Sequence, residues 1–169
     1  MIIGVTGHRL QYLGGYSEET YAKLLEFAKQ ELAELLTIVN VKDTFEHIRI
    51  GTGMALGWDQ AIVEACVYYH IPFVAYIPFI GYELKWPQAA QNKYHSLLEK
   101  AFKIIYTDGM QGNYASYKLF KRNEFIVNDC EMLLALWNGD IQTGTGHCVQ
   151  YAKSQNKRTI NCWDNWIHA

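Results

Sequence analysis

The chain has 169 residues, of which half are apolar, 19% are charged and only three are proline. This balance excludes disordered and collagen-like proteins and predicts one compact domain over residues 1–169. Fifteen Lys and Arg against seventeen Asp and Glu give a net charge of −2. The chain therefore has no net positive charge to attract nucleic acids, and we expect no nucleic-acid partner.

The apolar stretches of the sequence are short. They are strand-sized, below the roughly 20 residues that cross a bilayer, and no basic segment precedes an apolar one at the N-terminus. The four cysteines form no C-x-x-C pair and no Cys/His cluster at zinc-ligand spacing. These patterns predict a cytoplasmic protein with no membrane partner, no metal site and reduced cysteines in its core.

Short β-rich runs alternate with longer helical ones along the chain. The predicted elements, in chain order, are a strand at 2–6, a helix at 17–36, a strand at 47–51, a helix at 59–70, a strand at 73–77, a helix at 86–102, a strand at 103–106, a helix at 114–128, a strand at 132–137, a helix at 146–154 and a strand at 158–162. Strands separated by helices imply right-handed crossovers and a parallel sheet. We expect a Rossmann-like three-layer α/β/α sandwich with a mainly parallel sheet of about six strands.

The loop Thr6-Gly7-His8-Arg9 follows the first predicted strand. Its glycine permits close approach of the backbone to a ligand, Thr6 offers a hydroxyl, and Arg9 offers a bidentate fork for phosphate or carboxylate. A polar turn with a solvated arginine explains the same pattern equally well. His8 taken alone favours a structural hydrogen-bonding role over catalysis.

The segment from Gly51 to Asp59 joins the second strand to its helix. Gly51, Gly53 and Gly57 expose backbone N–H groups where a helix N-terminus supplies partial positive charge, which favours an anion. The spacing matches neither G-x-G-x-x-G nor a Walker A loop, so we predict no nicotinamide or ATP cofactor. Two roles remain open for Asp59: it contacts ligand hydroxyls, or it caps its helix.

The third candidate region combines a helix with a Thr-Gly-Thr-Gly loop. Lys118 and Arg122 lie four residues apart on one helical face, close to the rings of Tyr114 and Tyr117. A solvated helical face is the alternative, but the glycine loop at the start of another helix favours phosphate binding. The candidate ligand-binding residues of this region are Lys118, Arg122, Asn123, Gly144, Thr145 and Gly146.

These residues together resemble the SLOG superfamily, which includes the LOG phosphoribohydrolases and the nucleotide-binding fold of DprA. The resemblance is strongest to small stand-alone bacterial and phage members of the YpsA type and covers nearly the whole chain. It is carried by Gly4–Arg9, Gly53–Asp59, Pro72–Phe79, Arg122-Asn123 with Asp129, and Gly144–Gly146 followed by Val149, Tyr151 and Ala152. The resemblance implies a nucleotide or nucleotide-derived ligand held by the glycine-rich loops.

LOG enzymes cleave an N-glycosidic bond with an arginine and the glutamate of a P-G-G-x-G-T-x-x-E motif. Arg122 matches the arginine, but the glutamate position falls on Gln150, and Gln142 and Thr143 replace the proline and the first glycine. Glutamine lacks both the charge and the proton affinity of a carboxylate. We therefore expect ligand binding, for sensing or sequestration. The alternative is an N-glycosidase that uses other groups, with Arg122 and Asp59 as candidate catalytic residues.

Two further expectations concern the folded molecule. Gly7, Arg9, Gly53, Gly57, Gly144 and Gly146 each follow a predicted strand, so we expect them to converge on one pocket at the carboxyl edge of the sheet. The Tyr68-Tyr69 pair and the tryptophans Trp163 and Trp166 predict a homo-oligomer, as is common in related Rossmann-like proteins. Completion of the core by these rings is the open alternative.

Overall fold

The computed structural model describes residues 1–39, 47–109 and 113–169. Within these ranges, six strands alternate with helices along the chain. The strands are β1 (Ile2–Gly7), β2 (Arg49–Thr52), β3 (Phe73–Ile77), β4 (Lys103–Tyr106), β5 (Met132–Leu136) and β6 (Arg158–Asn161). The helices are α1 (Glu18–Ile38), α2 (Trp58–Tyr69), α3 (Gln88–Leu98), α4 (Ser116–Asp129), α5 (Gly144–Ser154) and α6 (Trp163–Ile167), with one 3₁₀ turn at Leu10–Tyr12.

The strands form one parallel sheet in the order β4-β3-β2-β1-β5-β6. Ile3 of β1 pairs with Ile50 of β2 on one side, and Thr6 of β1 pairs with Ala135 of β5 on the other. The chain therefore runs outward from β1 to β4 and then returns to the opposite side of β1. This reversal creates a switch point between β1 and β5, where open α/β sheets bind ligands.

The core lies in two apolar layers, one on each face of the sheet. In β5, Leu134 and Leu136 join the cluster formed with α1, α2, α3 and α6, whereas Leu133 and Ala135 pack with α4 and α5. Both faces of β5 are apolar because a parallel strand between two helical layers is buried on both sides. The predicted α/β/α sandwich with a parallel sheet of six strands is confirmed.

Several element boundaries differ from the sequence-based expectation. β2 begins at Arg49 and not at residue 47, and α4 begins at Ser116 and not at residue 114. The helix expected over 86–102 is shorter and covers only Gln88–Leu98. It begins after Pro87, which stands at its N-cap. It ends before Phe102, whose N–H donates to the Phe73 carbonyl of the sheet at 2.9 Å. α5 begins two residues early because Oγ1 of Thr143 accepts a hydrogen bond from the Gly146 N–H at 3.0 Å.

The C-terminal segment contains a short helix that the sequence pattern did not indicate. Trp166 of α6 is buried, and its ring lies 5.2 Å from the Phe27 ring of α1. This tryptophan therefore completes the core, which was one of the two open alternatives. Among the described residues, no helix has the length and apolar character needed to cross a membrane.

Candidate functional site

A cleft of about 580 Å³ opens at the switch point, at the carboxyl edge of the sheet. It is bounded by the loops that follow β1, β2, β3 and β5 and by one face of α4. Nine of the residues predicted to bind a ligand line it: Thr6, Gly7, His8, Arg9, Asp59, Arg122, Asn123, Gly144 and Thr145. The tertiary structure thus brings the three candidate regions together.

His8 joins the loops after β1 and β5. Its ring Nε2 lies 2.8 Å from Oδ1 of Asn138 and 3.1 Å from the Asn138 backbone nitrogen. Burial lowers the pKa of His8, and the Asn138 hydrogen bond and the Asp140 charge oppose this only in part. A neutral, tethered ring positions the loop, which agrees with the structural role expected for His8.

Arg122 is buried against the wall of the cleft. Its Nη1 donates to the Gly53 carbonyl at 2.6 Å, and its Nε donates to Oδ1 of Asn123 at 2.9 Å. A Cβ at residue 53 would overlap the guanidinium, so Gly53 is needed for this close approach. Within the described ranges no carboxylate lies within 4.0 Å of Arg122. Its charge therefore forms no close ion pair in the described ranges and favours an anionic ligand.

The first turn of α5 also lines the cleft. Nδ2 of Asn123 donates to the Gly144 carbonyl at 3.1 Å, which ties this turn to α4. Thr143 caps the Gly146 N–H, but the N–H groups of Gly144 and Thr145 donate to no acceptor in the described part of the chain. Two free N–H groups at a helix N-terminus favour an anion.

Asp59 is the second residue of α2 and is only 5% exposed. Its Oδ2 accepts a hydrogen bond from the Ala55 N–H at 3.3 Å, whereas Oδ1 has no partner in the structure described. Burial raises the pKa of Asp59 to about 6, and the Arg122 charge, the Ala55 hydrogen bond, the Arg9 charge and the Gly53 N–H oppose this rise. The Gly53 N–H lies near the carboxylate but outside ordinary hydrogen-bonding geometry, so it satisfies neither oxygen fully.

Asp59 does not cap its helix. The N-cap of α2 is Gly57, at a φ of +95° that favours glycine, and no side chain caps this terminus. Of the two roles left open by the sequence, the structure therefore excludes the capping role.

Five predicted residues lie at the same edge of the sheet or nearby but outside the lining of the cleft. Nζ of Lys118 donates to the Asn113 carbonyl at 3.2 Å and lies 3.8 Å from Oδ2 of Asp108, so these two residues hold its ammonium group. Gly53 contacts Arg122 by accepting the hydrogen bond from its Nη1. The other three glycines allow close packing of neighbouring segments: Gly51, Gly57 and Gly146.

Sequence reasoning missed several aromatic residues of the cleft. Tyr12, Tyr82 and Phe120 line it together with Tyr114, whereas Tyr117 does not. Tyr12 follows Arg9 by three residues, and this short distance along the chain could have placed it in the same loop region as Arg9. Tyr82 had no such signal, because it reaches the cleft through the fold of the segment between β3 and α3. No group of three potential metal ligands occurs in the residues described.

A parallel Rossmann-like sheet with a cleft at its switch point defines the class of this protein. The chain belongs to the YspA SLOG family, whose YpsA model matches residues 3–164, so the resemblance found in the sequence is confirmed. The SPbeta prophage-derived protein YoqJ of Bacillus subtilis is 29% identical over 136 residues, covering 71% of this chain and 78% of YoqJ.

Solved structures of DNA processing protein A (DprA) share the fold. DprA of Streptococcus pneumoniae matches 94% of this chain with a TM-score of 0.64 at 14% identity. DprA of Helicobacter pylori, described with a single-stranded DNA binding mode, matches 95% with a TM-score of 0.62 at 14% identity. This chain spans only 49% and 64% of those two proteins. At such identity the likeness shows the fold alone.

Proposed function

We propose that residues 1–169 form a single cytoplasmic domain that binds a nucleotide or a nucleotide-derived small molecule, for sensing or sequestration. The anionic end of the ligand lies between the first turn of α5 and the guanidinium of Arg122. The base packs against the rings of Tyr12, Tyr114 and Phe120 at the mouth of the cleft.

The observation that carries this proposal is the paired anion-binding geometry of the cleft. On one wall, the N–H groups of Gly144 and Thr145 have no acceptor within the described ranges, and on another wall Arg122 has no carboxylate within 4.0 Å. Arg9 adds a third donor group from the β1 loop. A single charge-assisted contact contributes about 1.5–3 kcal/mol, so several must act together to give micromolar affinity.

Hydrolysis of the N-glycosidic bond of a nucleotide is the second candidate. The presence of the buried Asp59 carboxylate beside the Arg122 charge in the same cleft favours it. Gln150, at the position of the LOG glutamate, is exposed and does not line the cleft. A LOG-type arrangement of the catalytic carboxylate therefore has no support here, and an enzyme of this kind requires Asp59 in its place.

Single-stranded DNA is a third occupant to test, because it is the ligand named for the Helicobacter pylori DprA. The net charge of −2 weighs against it, because nucleic-acid affinity depends on neutralising many phosphates. A cleft of about 580 Å³ also suits a small ligand better than a polymer.

The experiment that tests the proposal has two stages. Small molecules released from the denatured, freshly purified protein are identified by mass spectrometry. The protein is then titrated calorimetrically with ribonucleoside mono-, di- and triphosphates and with a single-stranded oligonucleotide. An intact nucleotide that binds supports the proposal, whereas a free base with ribose phosphate supports hydrolysis. Tight binding of the oligonucleotide alone, or no binding by any nucleotide, contradicts the proposal.

A further inference from the structure

The carboxylate of Asp59 is buried, yet few hydrogen bonds and no close cation stabilise its ionised form in the described structure. It is 5% exposed and accepts one hydrogen bond of ordinary geometry, from the Ala55 N–H at 3.3 Å, with the Gly53 N–H as a weaker contact. Its Oδ1 has no hydrogen-bond partner in the described structure, and no Lys, Arg or His nitrogen there lies within 4.0 Å of the carboxylate. A buried charge of this kind is costly unless a further donor completes its hydrogen bonding.

The location of Asp59 identifies where that donor comes from. Asp59 lines the same cleft as Arg9, Arg122 and the first turn of α5. Because the terminal torsion of an aspartate is broad, a small rotation of the carboxylate presents an oxygen to the cleft without moving the backbone. A bound ligand is therefore in a position to supply the missing hydrogen bond.

The charges around the cleft restrict the chemistry of the donor. An ammonium group is disfavoured because the guanidinium groups of Arg9 and Arg122 line the same space. A phosphate is repelled by the carboxylate itself and is better placed at the free N–H groups of Gly144 and Thr145. The group that contacts Asp59 is thus a neutral donor, a hydroxyl or an uncharged amino group.

The depth of Asp59 favours a sugar hydroxyl over an amino group of the base. The aromatic rings suited to stack on a base lie at the mouth, where Tyr12 is 43% and Tyr114 is 54% exposed. Asp59 lines the same cleft but is only 5% exposed, so it lies deeper than these rings. A ligand with its base at the rim and its phosphate on α5 brings its ribose towards Asp59.

We infer that Asp59 accepts a hydrogen bond from the ribose hydroxyls of the ligand, so that the cleft selects ribonucleotides over their deoxy counterparts. This inference rests on the proposed function, because it assumes that a nucleotide occupies the cleft. It assigns Asp59 a role in specificity and requires no bond to be broken.

The test compares ribonucleoside monophosphates with their 2′-deoxy and 2′,3′-dideoxy counterparts by calorimetric titration. The wild-type protein is expected to bind the ribonucleotide about tenfold or more tightly than the dideoxy compound, because a hydrogen bond to a charged group is lost. In Asp59→Ala this preference falls to within about twofold, mainly through weaker binding of the ribonucleotide. Asp59→Asn keeps one acceptor oxygen and retains part of the preference.

Glu131→Gln is the matched control, since it removes the same charge from the exposed residue that precedes β5, at the opposite edge of the sheet. It is expected to keep the wild-type preference. The deoxy series on the wild-type protein needs no variant, so the inference remains testable even if a variant at Asp59 fails to fold.

Three outcomes would overturn the inference. Equal affinity of the wild-type protein for ribonucleotides and dideoxynucleotides removes its basis. An unchanged preference in Asp59→Ala assigns the selection to another residue. In the third outcome, Asp59→Ala is unable to distinguish adenosine monophosphate from inosine monophosphate while it keeps the preference for ribose. That result would show that the hydrogen-bond donor to Asp59 is on the base. If no nucleotide binds the wild-type protein, the proposed function itself fails, and that result is distinct from the other three.

Discussion

At the residue scale, the buried carboxylate of Asp59 makes stability depend on pH. Its pKa is about 6 in the folded protein against an ordinary value of 3.8, mainly because of burial. Between about pH 4 and about pH 6 the folded state therefore binds more protons than the unfolded state, and the free energy of unfolding falls as the pH rises through this window. Above it, the ionised group costs roughly 1–3 kcal/mol.

Asp59→Asn is expected to raise the free energy of unfolding above about pH 7 by roughly 1–3 kcal/mol, because it removes the buried charge and keeps an acceptor for Ala55. This gain shrinks towards about pH 4, where Asp59 is protonated in the folded protein. Urea denaturation at several pH values measures both effects. An identical pH dependence in the variant and the wild-type protein would contradict the assignment.

Arg122 is the second residue whose replacement is informative. Arg122→Ala is expected to weaken nucleotide binding by roughly ten- to a hundredfold, and Arg122→Lys to recover only part of this, because a point charge cannot reproduce the bidentate fork. The alanine variant loses both the positive charge and the hydrogen bonds to Gly53 and Asn123. The lysine variant keeps the charge, so its affinity shows how much of the loss is due to the charge alone. Calorimetric titration measures both affinities.

Lys121→Ala provides the control for Arg122, since Lys121 is an exposed cation of the same helix. It should bind the nucleotide as the wild-type protein does. Folded variants of Arg122 with unchanged affinity would show that the guanidinium only stabilises the fold through Gly53 and Asn123 and makes no contact with the ligand.

At the scale of elements, the first turn of α5 offers two glycines in different surroundings. A Cβ at Gly146 would overlap the Asp140 carbonyl and lie 2.8 Å from Cα of Ile141, whereas a Cβ at Gly144 meets nothing within 4 Å. Gly146→Ala is therefore expected to lower the free energy of unfolding by roughly 1–3 kcal/mol, and Gly144→Ala to change it by less than about 0.5 kcal/mol.

The comparison between the two α5 variants removes the effect of helix propensity, because both replace glycine by alanine in the same turn. Urea denaturation of each variant gives the difference directly. Equal stability of the two would show that the loop holding Asp140 moves away from α5 at little cost.

At the scale of the whole molecule, self-association stays a prediction. Trp166 is part of the core, but Tyr68 at the end of α2 is 62% exposed and contacts the ring of Tyr69 at 4.9 Å. We expect a dimer by light scattering at high micromolar concentration, and we expect Tyr68→Ser to weaken it because an exposed ring leaves the interface. Tyr16→Ser, which removes an equally exposed ring elsewhere, is the control. A monomer at that concentration would refute the prediction.

The alternation of strands and helices was fixed by local sequence patterns. Short apolar runs such as 73–77 and 132–136 favour strands buried on both faces, which the structure shows. Ser17 caps α1 as predicted, with its Oγ accepting from the Thr20 N–H at 3.0 Å. These features depend on neighbours within a few residues, so the sequence by itself determined the fold class, the α/β/α layering and the edge of the sheet where the cleft lies.

The tertiary structure decided which candidate residues reach the cleft. Lys118 and Arg122 lie four residues apart on α4, yet Lys118 turns to Asn113 and Asp108 while Arg122 reaches the Gly53 carbonyl. Their partners lie on different elements, and no local pattern encodes which element packs against which turn of the helix. The His8–Asn138 contact joins residues 130 positions apart for the same reason. Long-range packing, and with it the lack of a hydrogen-bond partner for Oδ1 of Asp59 in the described structure, follows only from the strand order of the folded sheet.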